Sequence, residues 1–228
     1  MLAALQKFSQ TVRRSNFIWR LSGLTYWSAI RATRRKYMTF QEYLDNSRQK
    51  VSFIDFNLRS RTVMEFGCGI GGNLFVLSSD IKQGYGLDIN GLYIHQAKRF
   101  SERLGLTNVI FYRYDGINFP QLPKLDVIFS FNVFERISKD KAIIYFREFK
   151  KMLSKDGTIY STFLGSGASK TGFVNRLGKD AYTFWTEDDI TNMLKKAQMA
   201  DWDISIKPIP IMPKEDNQNS WLVRLHVR

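Results

Sequence analysis

Short apolar strand patterns alternate with amphipathic helix patterns from residue 61 onward, and this alternation limits the fold more than any other feature. Strands joined by helices in this way are linked by right-handed crossovers, which require a parallel sheet with helices on both faces. Residues 203–207 and 221–227 are two late strands without a helix between them, so they pair antiparallel. The sequence therefore predicts a three-layer, doubly wound α/β fold, whose mostly parallel seven-stranded sheet ends in an antiparallel C-terminal hairpin. The first five strands are predicted at 62–66, 85–89, 109–112, 125–130 and 158–163, the fifth after a turn at Asp156-Gly157.

The predicted sheet domain covers residues 61–228, and residues 1–60 form a basic helical extension in front of it. Residues 1–62 hold 12 basic and 3 acidic residues, a net charge of +9 out of a total of +13. A capping box at Thr39–Glu42 predicts a helix start within the extension. Three interpretations stay open: a cap packed on the sheet domain, an amphipathic surface for a membrane, and an organellar leader. The many Trp and Tyr residues favour the cap, because such side chains usually lie in a core.

Composition excludes several classes of protein. With 44% hydrophobic and 24% charged residues, the 228-residue chain is neither a disordered tail nor a disulfide scaffold. No uninterrupted apolar stretch approaches the roughly 18 residues that indicate a transmembrane helix. One cysteine and two histidines argue against a Cys/His zinc site, so no metal is predicted. The lone Cys68 favours a reducing compartment, and we expect a cytoplasmic location.

A glycine-rich stretch follows the first predicted strand, with the sequence Glu65-Phe-Gly-Cys-Gly-Ile-Gly-Gly-Asn73. Glycines between a strand and a helix allow positive φ angles and let a ligand approach the backbone. The stretch also fits G-x-G-x-x-G, the dinucleotide fingerprint of NAD(P)-dependent oxidoreductases. Asp88, at the end of the second strand, suits the ribose hydroxyls of a dinucleotide or of another nucleoside cofactor. A P-loop is excluded, because no Gly-Lys-Ser/Thr follows the glycines.

Two further acids distinguish a dinucleotide from a cofactor that carries adenine and an ammonium group but no pyrophosphate. Glu65 precedes the glycines, where a carboxylate favours a cofactor ammonium group and repels a pyrophosphate. Asp115, after the third strand, can accept a hydrogen bond from an exocyclic amine such as that of adenine. The terminal hairpin, and the lack of chain for a separate substrate domain, also argue against a dehydrogenase.

These motifs resemble those of the class I S-adenosylmethionine-dependent methyltransferases, strongly over residues 61–163 and fairly over 164–228. The resemblance implies S-adenosyl-L-methionine as the cofactor and methyl transfer as the activity. Asp88 matches the family's ribose-binding acid, Asp115-Gly116 is similar to its adenine-contacting pair, and residues 125–135 resemble its fourth-strand motif. The cofactor contacts implied in this way are Glu65, Gly67, Gly69, Gly71, Asp88, Ile89, Asp115, Gly116, Phe131 and Asn132.

Glu135 is the candidate general base, because it follows the fourth strand within reach of the site. The structural alternative for Glu135 is a carboxylate at a helix start. Arg136 stands where many small-molecule members have His, which argues against proton abstraction by a histidine. His95 and His226 are predicted to be structural residues of a helix and a strand. An Asn/Asp-Pro-Pro-Tyr/Phe motif is missing after the fourth strand, which argues against methylation of exocyclic base amines.

Residues 164–185 are predicted to shape the acceptor pocket, with a glycine- and serine-rich start and an aromatic end. Basic residues in this segment and in the extension favour an anionic acceptor. The predicted activity is in-line transfer of a methyl group to a small-molecule, sugar or glycan, or lipid-linked acceptor. The alternatives are an RNA methyltransferase, an NAD(P)-dependent oxidoreductase and a non-catalytic cofactor-binding module. The basic extension is also expected to contact a membrane surface or RNA.

Overall fold

A computed structural model describes residues 40–165, 182–210 and 219–227. These residues form one seven-stranded sheet with helices on both faces. The helices are α1 (Phe40–Val51), α2 (Gly72–Leu77), α3 (Gly91–Arg103), α4 (Lys139–Met152) and α5 (Glu187–Lys196). The strands are β1 (Thr62–Phe66), β2 (Gln83–Asp88), β3 (Val109–Arg113), β4 (Leu125–Ser130), β5 (Leu153–Leu164), β6 (Asp203–Pro210) and β7 (Asn219–His226).

The strand order is β3-β2-β1-β4-β5-β7-β6. The pairs among β1 to β5 are parallel, and β7 pairs antiparallel with both β5 and β6. The predicted doubly wound fold with an antiparallel C-terminal hairpin is therefore confirmed. Successive strands are added on one side of β1 up to β3 and on its other side from β4 onward, so the strand order reverses between β1 and β4. Ligands of such sheets bind beyond the carboxyl ends of the strands at that point.

The sheet separates two hydrophobic cores. One core lies between the sheet and helices α4 and α5, and it includes the fully buried Phe134, Phe146 and Trp185. The other lies under α1, α2 and α3. The central strand β4 is buried on both faces, as its nearly continuous apolar sequence predicts.

One local prediction is wrong. Asp156 and Gly157 do not form a turn before β5 but lie inside it, because β5 starts directly after α4. Leu125 pairs with Leu153 and Val127 with Thr158, so β5 has extra residues opposite β4 and forms a bulge there. A Cβ atom at Gly157 would come 2.7 Å from a Leu153 methyl group, so a larger residue there would force the Leu153 side chain to move.

The spacing of apolar residues in α3 predicts an apolar face of Tyr93, Ala97, Phe100 and Leu104. Ala97 is buried, the other three are half-buried, and Ile94 and Ser101 are buried as well. Packing on β2 and β3 selects the buried face of α3, and this contact is not visible in the spacing of apolar residues alone.

Helix caps follow the sequence closely. The Ser138 hydroxyl accepts the Lys141 N–H at the start of α4, and Thr186 and Asp189 form a reciprocal capping box on α5. Helix α1 begins at Phe40, while the predicted capping residue Thr39 lies outside the described residues. In the part of the chain that the structure covers, no helix is long and apolar enough to cross a membrane.

Candidate active site

The glycine loop joins β1 to α2 at the carboxyl edge of the sheet. Gly67, Gly69 and Gly71 have φ angles of 77°, 55° and 89°, a region that glycine adopts without strain. The N–H groups of Gly67 and Cys68 both donate to the Leu87 carbonyl, at 2.7 and 2.9 Å. The loop is thereby tied to the end of β2.

The loop glycines differ in what surrounds them. A Cβ atom at Gly67 would come 2.2 Å from a Val133 methyl group, and one at Gly71 would come 2.7 Å from the Phe111 ring. A Cβ atom at Gly69 would meet nothing within 4 Å. The outer turn of the loop therefore borders open space, where a ligand can contact its backbone.

Asp88 ends β2 and faces this loop. One carboxylate oxygen accepts the Gly69 N–H at 2.8 Å, and the other accepts the Asn90 N–H at 2.8 Å. Burial raises the pKa of Asp88, and these two hydrogen bonds lower it. Asp88 therefore fixes the loop, and its carboxylate oxygens keep lone pairs for a ligand hydroxyl.

Glu65 is a buried carboxyl beneath the loop, with 2% of its surface exposed. Its Oε1 accepts the Asn73 side-chain amide at 2.6 Å. Among the described residues, Glu65 Oε2 and Asn73 Oδ1 have no hydrogen-bond partner. Burial raises the pKa of Glu65 to about 8. An ammonium group would supply the missing donor and would favour the charged form of this carboxyl.

Asp115 and Gly116 follow β3 and form a tight turn. The exposed Asp115 carboxylate accepts the N–H groups of Ile117 and Asn118, and these bonds lower its pKa. Gly116 has a φ of 88°, and its hypothetical Cβ atom would lie 3.6 Å from Ile89. Ile89 and Ile117 are 65% and 78% exposed. The structure therefore brings Ile89 and Gly116 together and leaves apolar surface there, suited to a flat ring.

The end of β4 flanks β1 on the side opposite to β2, and we call the space beyond the carboxyl ends of these three strands the groove. Phe131 is buried against Phe53, with ring centroids 6.4 Å apart, so its backbone is the part left for a ligand. Asn132 is exposed, has a positive φ of 59°, and donates its N–H to the Thr162 hydroxyl at 2.9 Å. This turn directs the chain from β4 into a single 3₁₀ turn, Phe134–Arg136.

Glu135 lies half-buried on this 3₁₀ turn. Its carbonyl accepts the Thr183 N–H at 2.9 Å, and the indole of Trp185 donates to the Phe134 carbonyl at 3.1 Å. Burial raises the pKa of the Glu135 carboxyl to about 7. Such a carboxyl, held on a fixed turn beside the groove, can take up a proton near neutral pH.

The sequence of the chain matches the family described as a methyltransferase domain over residues 58–198. The chain belongs to this family. It is a class I S-adenosylmethionine-dependent methyltransferase, as the motifs at Glu65, Asp88 and Asp115 imply.

Solved structures share the fold of the methyltransferase at low sequence identity. The magnesium protoporphyrin IX methyltransferase of Synechocystis PCC 6803, with bound S-adenosylmethionine, has a TM-score of 0.65 at 15% identity over 96% of this chain and 97% of that one. A phosphoethanolamine N-methyltransferase of Haemonchus contortus has 0.64 at 15% identity over 81% of this chain and 52% of that one. An S-adenosylmethionine-dependent methyltransferase of Clostridium acetobutylicum has 0.63 at 14% identity over 92% and 98%. No curated protein matches the sequence.

Sequence reasoning missed the part that α1 plays in the site of the methyltransferase. The Gly72 N–H, at the start of α2, donates to the Tyr43 hydroxyl at 2.9 Å. The positive charge of Lys50 lowers the pKa of both Glu65 and Glu135. The capping box predicts the helix, but no pattern in the sequence indicates that it packs on the glycine loop.

The remaining predicted residues of the methyltransferase lie in their expected elements. His95 is exposed on α3, and His226 on β7 lies 2.9 Å from the Thr158 hydroxyl. Cys68 is buried, and burial raises the pKa of its thiol. Arg136 lies over the Tyr182 ring at 4.1 Å. The basic residues of the predicted acceptor loop fall within residues 166–181, outside the described part of the chain.

Proposed function

We propose that the methyltransferase acts on a small-molecule acceptor, with a sugar, glycan or lipid-linked molecule as the favoured kinds. Two structural neighbours support this proposal, since their names give magnesium protoporphyrin IX and phosphoethanolamine as acceptors. The site also supports it, because Phe53 packs on Phe131 at the end of β4 and helix α1 contacts the glycine loop, which limits the room for a large acceptor.

The single observation that carries methyl transfer at this site is the fit of the groove to S-adenosylmethionine. Gly69 borders open space, Asp88 keeps acceptor capacity beside it, and Ile89 offers exposed apolar surface. The unpartnered Glu65 Oε2 suits an amino acid ammonium group. We expect ribose at Asp88, adenine between Ile89 and Gly116, and the methionine end near Glu65.

When bound, S-adenosylmethionine supplies an electrophilic methyl group on a sulfonium. The chain supplies position, because backbone hydrogen bonds tie the loop to β2 and the 3₁₀ turn to Thr183. Holding an attacking atom about 3 Å from the methyl group and in line with it lowers the barrier by several kcal/mol.

Glu135 is the proposed general base of the site. If the acceptor atom is a hydroxyl oxygen, its proton passes to the Glu135 carboxylate as the oxygen–methyl bond forms and the carbon–sulfur bond breaks. A pKa of about 7 suits this proton transfer near neutral pH. An amine or thiolate acceptor that is already deprotonated has less need of this base.

RNA is the second candidate acceptor, and the net charge of +9 within residues 1–62 favours it. Most of that charge lies in residues 1–39, outside the described part of the chain. An RNA acceptor predicts binding that weakens steeply as salt increases. The cytoplasmic location and the membrane contact expected from the sequence stay predictions.

The test is incubation of the purified protein with methyl-labelled S-adenosylmethionine and a fractionated cell extract. We expect label in the small-molecule, glycan or lipid fraction, and label in RNA or protein would contradict the acceptor proposal. Asp88→Ala is expected to weaken S-adenosylmethionine binding at least tenfold in calorimetry.

Asp126→Ala is the matched control for that substitution. Asp126 also accepts a backbone N–H, from Thr62 at 2.8 Å, but at the amino end of β4 and away from the groove. Equal loss of affinity in both variants would remove the ribose contact from the proposal. If the protein binds S-adenosylmethionine but no fraction of the extract takes up label, the result would support a non-catalytic module.

A further inference from the structure

Helix α1 presents one face to the glycine loop. Tyr43 accepts the Gly72 N–H, and a Cβ atom on Gly72 would lie 2.5 Å from the Ser47 hydroxyl. Residues at positions i, i+4 and i+7 share one face of a helix. Lys50 is seven residues after Tyr43, so it lies on this face, one turn beyond Ser47.

The chain that follows α1 is held on the other side of the groove. Phe53 packs on Phe131 at the end of β4, with ring centroids 6.4 Å apart. Asp55 accepts the Tyr160 hydroxyl of β5 at 2.5 Å and lies 3.6 Å from the Arg224 guanidinium of β7. Lys50 is therefore bracketed by contacts to the glycine loop on one side and to β4 on the other.

Two carboxyl groups of the site belong to the parts of the chain that this segment contacts. Glu65 is hydrogen-bonded to Asn73, the neighbour of Gly72, and Glu135 lies on the 3₁₀ turn that follows the end of β4. Burial raises the pKa of Glu65 and of Glu135, and the positive charge of Lys50 opposes this rise in both. The other polar groups that face Glu65 are the Asn73 amide and the carboxylate of Asp88, which disfavours a second negative charge. Lys50 therefore provides the positive charge that acts on both carboxyls.

We propose that Lys50 is a positioning residue of the methyl-transfer site, whose ammonium group favours the charged forms of Glu65 and Glu135 for cofactor binding and proton uptake. The inference rests on the proposed function, because it assigns the two carboxylates to the cofactor and the acceptor. It also makes α1 a part of the active site, although α1 lies before the family match that starts at residue 58.

The first test is the titration of Glu65 in the ligand-free protein, followed by carbon-13 NMR of labelled glutamate carboxyls and assigned with Glu65→Gln. Lys50→Met is expected to move the Glu65 midpoint upward by about one pH unit, which corresponds to the loss of about 1.4 kcal/mol of attraction between the two charges. Lys50→Arg keeps the charge and is expected to leave the midpoint within about 0.3 pH units of wild type.

The matched control is Arg48→Met, which removes a positive charge from the same helix. Arg48 is exposed and pairs with Asp45, away from the groove. We expect no shift of the Glu65 midpoint in this variant. An equal shift in Arg48→Met and Lys50→Met, or none in either, would overturn the proposal. If Lys50→Met does not fold, Lys50→Gln takes its place.

The second test is the affinity for S-adenosylmethionine between pH 6 and 9. We expect the pH of half-maximal affinity to rise in Lys50→Met as the Glu65 midpoint rises, and to return in Lys50→Arg. A wild-type protein that binds no S-adenosylmethionine would refute the proposed function, while the NMR shift would still decide the role of Lys50. Binding with superimposed pH profiles for wild type and Lys50→Met would refute the role of Lys50 alone.

Discussion

Glu65 is the residue whose environment departs most from what its chemistry prefers. A carboxyl that is 2% exposed, with one oxygen lacking a partner among the described residues, destabilises the ligand-free fold. Such unfavourable burial is typical of residues whose partner is a ligand. The ammonium group proposed for this site would supply the donor that Glu65 Oε2 lacks.

The stability of the protein is expected to depend on pH through this carboxyl. The folded pKa of Glu65, about 8, exceeds its ordinary value of 4.5, so between these values the folded state holds a proton that the unfolded state releases. The free energy of unfolding therefore falls as pH rises through this window, by up to about 1.4 kcal/mol per pH unit.

Glu65→Gln is expected to flatten this dependence when urea unfolding is measured from pH 5 to 8.5. A smaller slope in the same direction should persist, because burial also raises the pKa of Glu135. Parallel curves for wild type and variant would show that Glu65 does not titrate in this range.

The glycine loop packs directly against the segment that leads from β4 into the 3₁₀ turn. Gly67 and Gly69 both have positive φ angles, but only Gly67 is crowded, by Val133. The two positions therefore separate the cost of backbone strain from the cost of steric overlap.

Gly69→Ala is expected to cost about 1–2 kcal/mol in unfolding free energy, from the positive φ alone. Gly67→Ala is expected to cost about 1–3 kcal/mol more, since its methyl group overlaps the Val133 side chain. Val133→Ala in the Gly67→Ala background should recover part of that difference. Equal costs at the two glycines would contradict the packing described for the loop.

Helix α1 is an integral part of the folded domain that the sheet forms. Phe40 and Leu44 are buried in the same core as β1, α2 and α3, and the Phe40 ring stacks on Phe100 with centroids 5.2 Å apart. This packing agrees with the cap interpretation for the described end of the extension. The boundary at residues 60 and 61 stays a prediction.

Leu44→Ala is expected to lower the free energy of unfolding by about 2–4 kcal/mol, because it leaves a cavity in this core. Leu92→Ala, at a leucine that is 45% exposed, should change it by less than about 0.5 kcal/mol. Chemical denaturation measures both. If the two variants lose the same stability, α1 is not integral to the fold.

Much of the fold could be predicted from local patterns. The apolar run of β4, the glycines after β1 and the capping residues Thr186 and Asp189 act within a few residues of the element they determine. The bulge at Gly157 escaped prediction because it depends on the register of β5 against β4. The contact of Tyr43 with Gly72 escaped it because the two residues are 29 positions apart.

Local patterns along the chain specify the strand and helix order, the family and the acids at the ends of β1, β2 and β3. These follow from periodicity and from short motifs, whose physics is local. The packing of α1 on the glycine loop, next to the Asn73 partner of Glu65, and the closing of that loop by Asp88 arise only when distant parts of the chain come together. Burial and charge interactions depend on distances in space, and those distances exist only after the sheet has assembled.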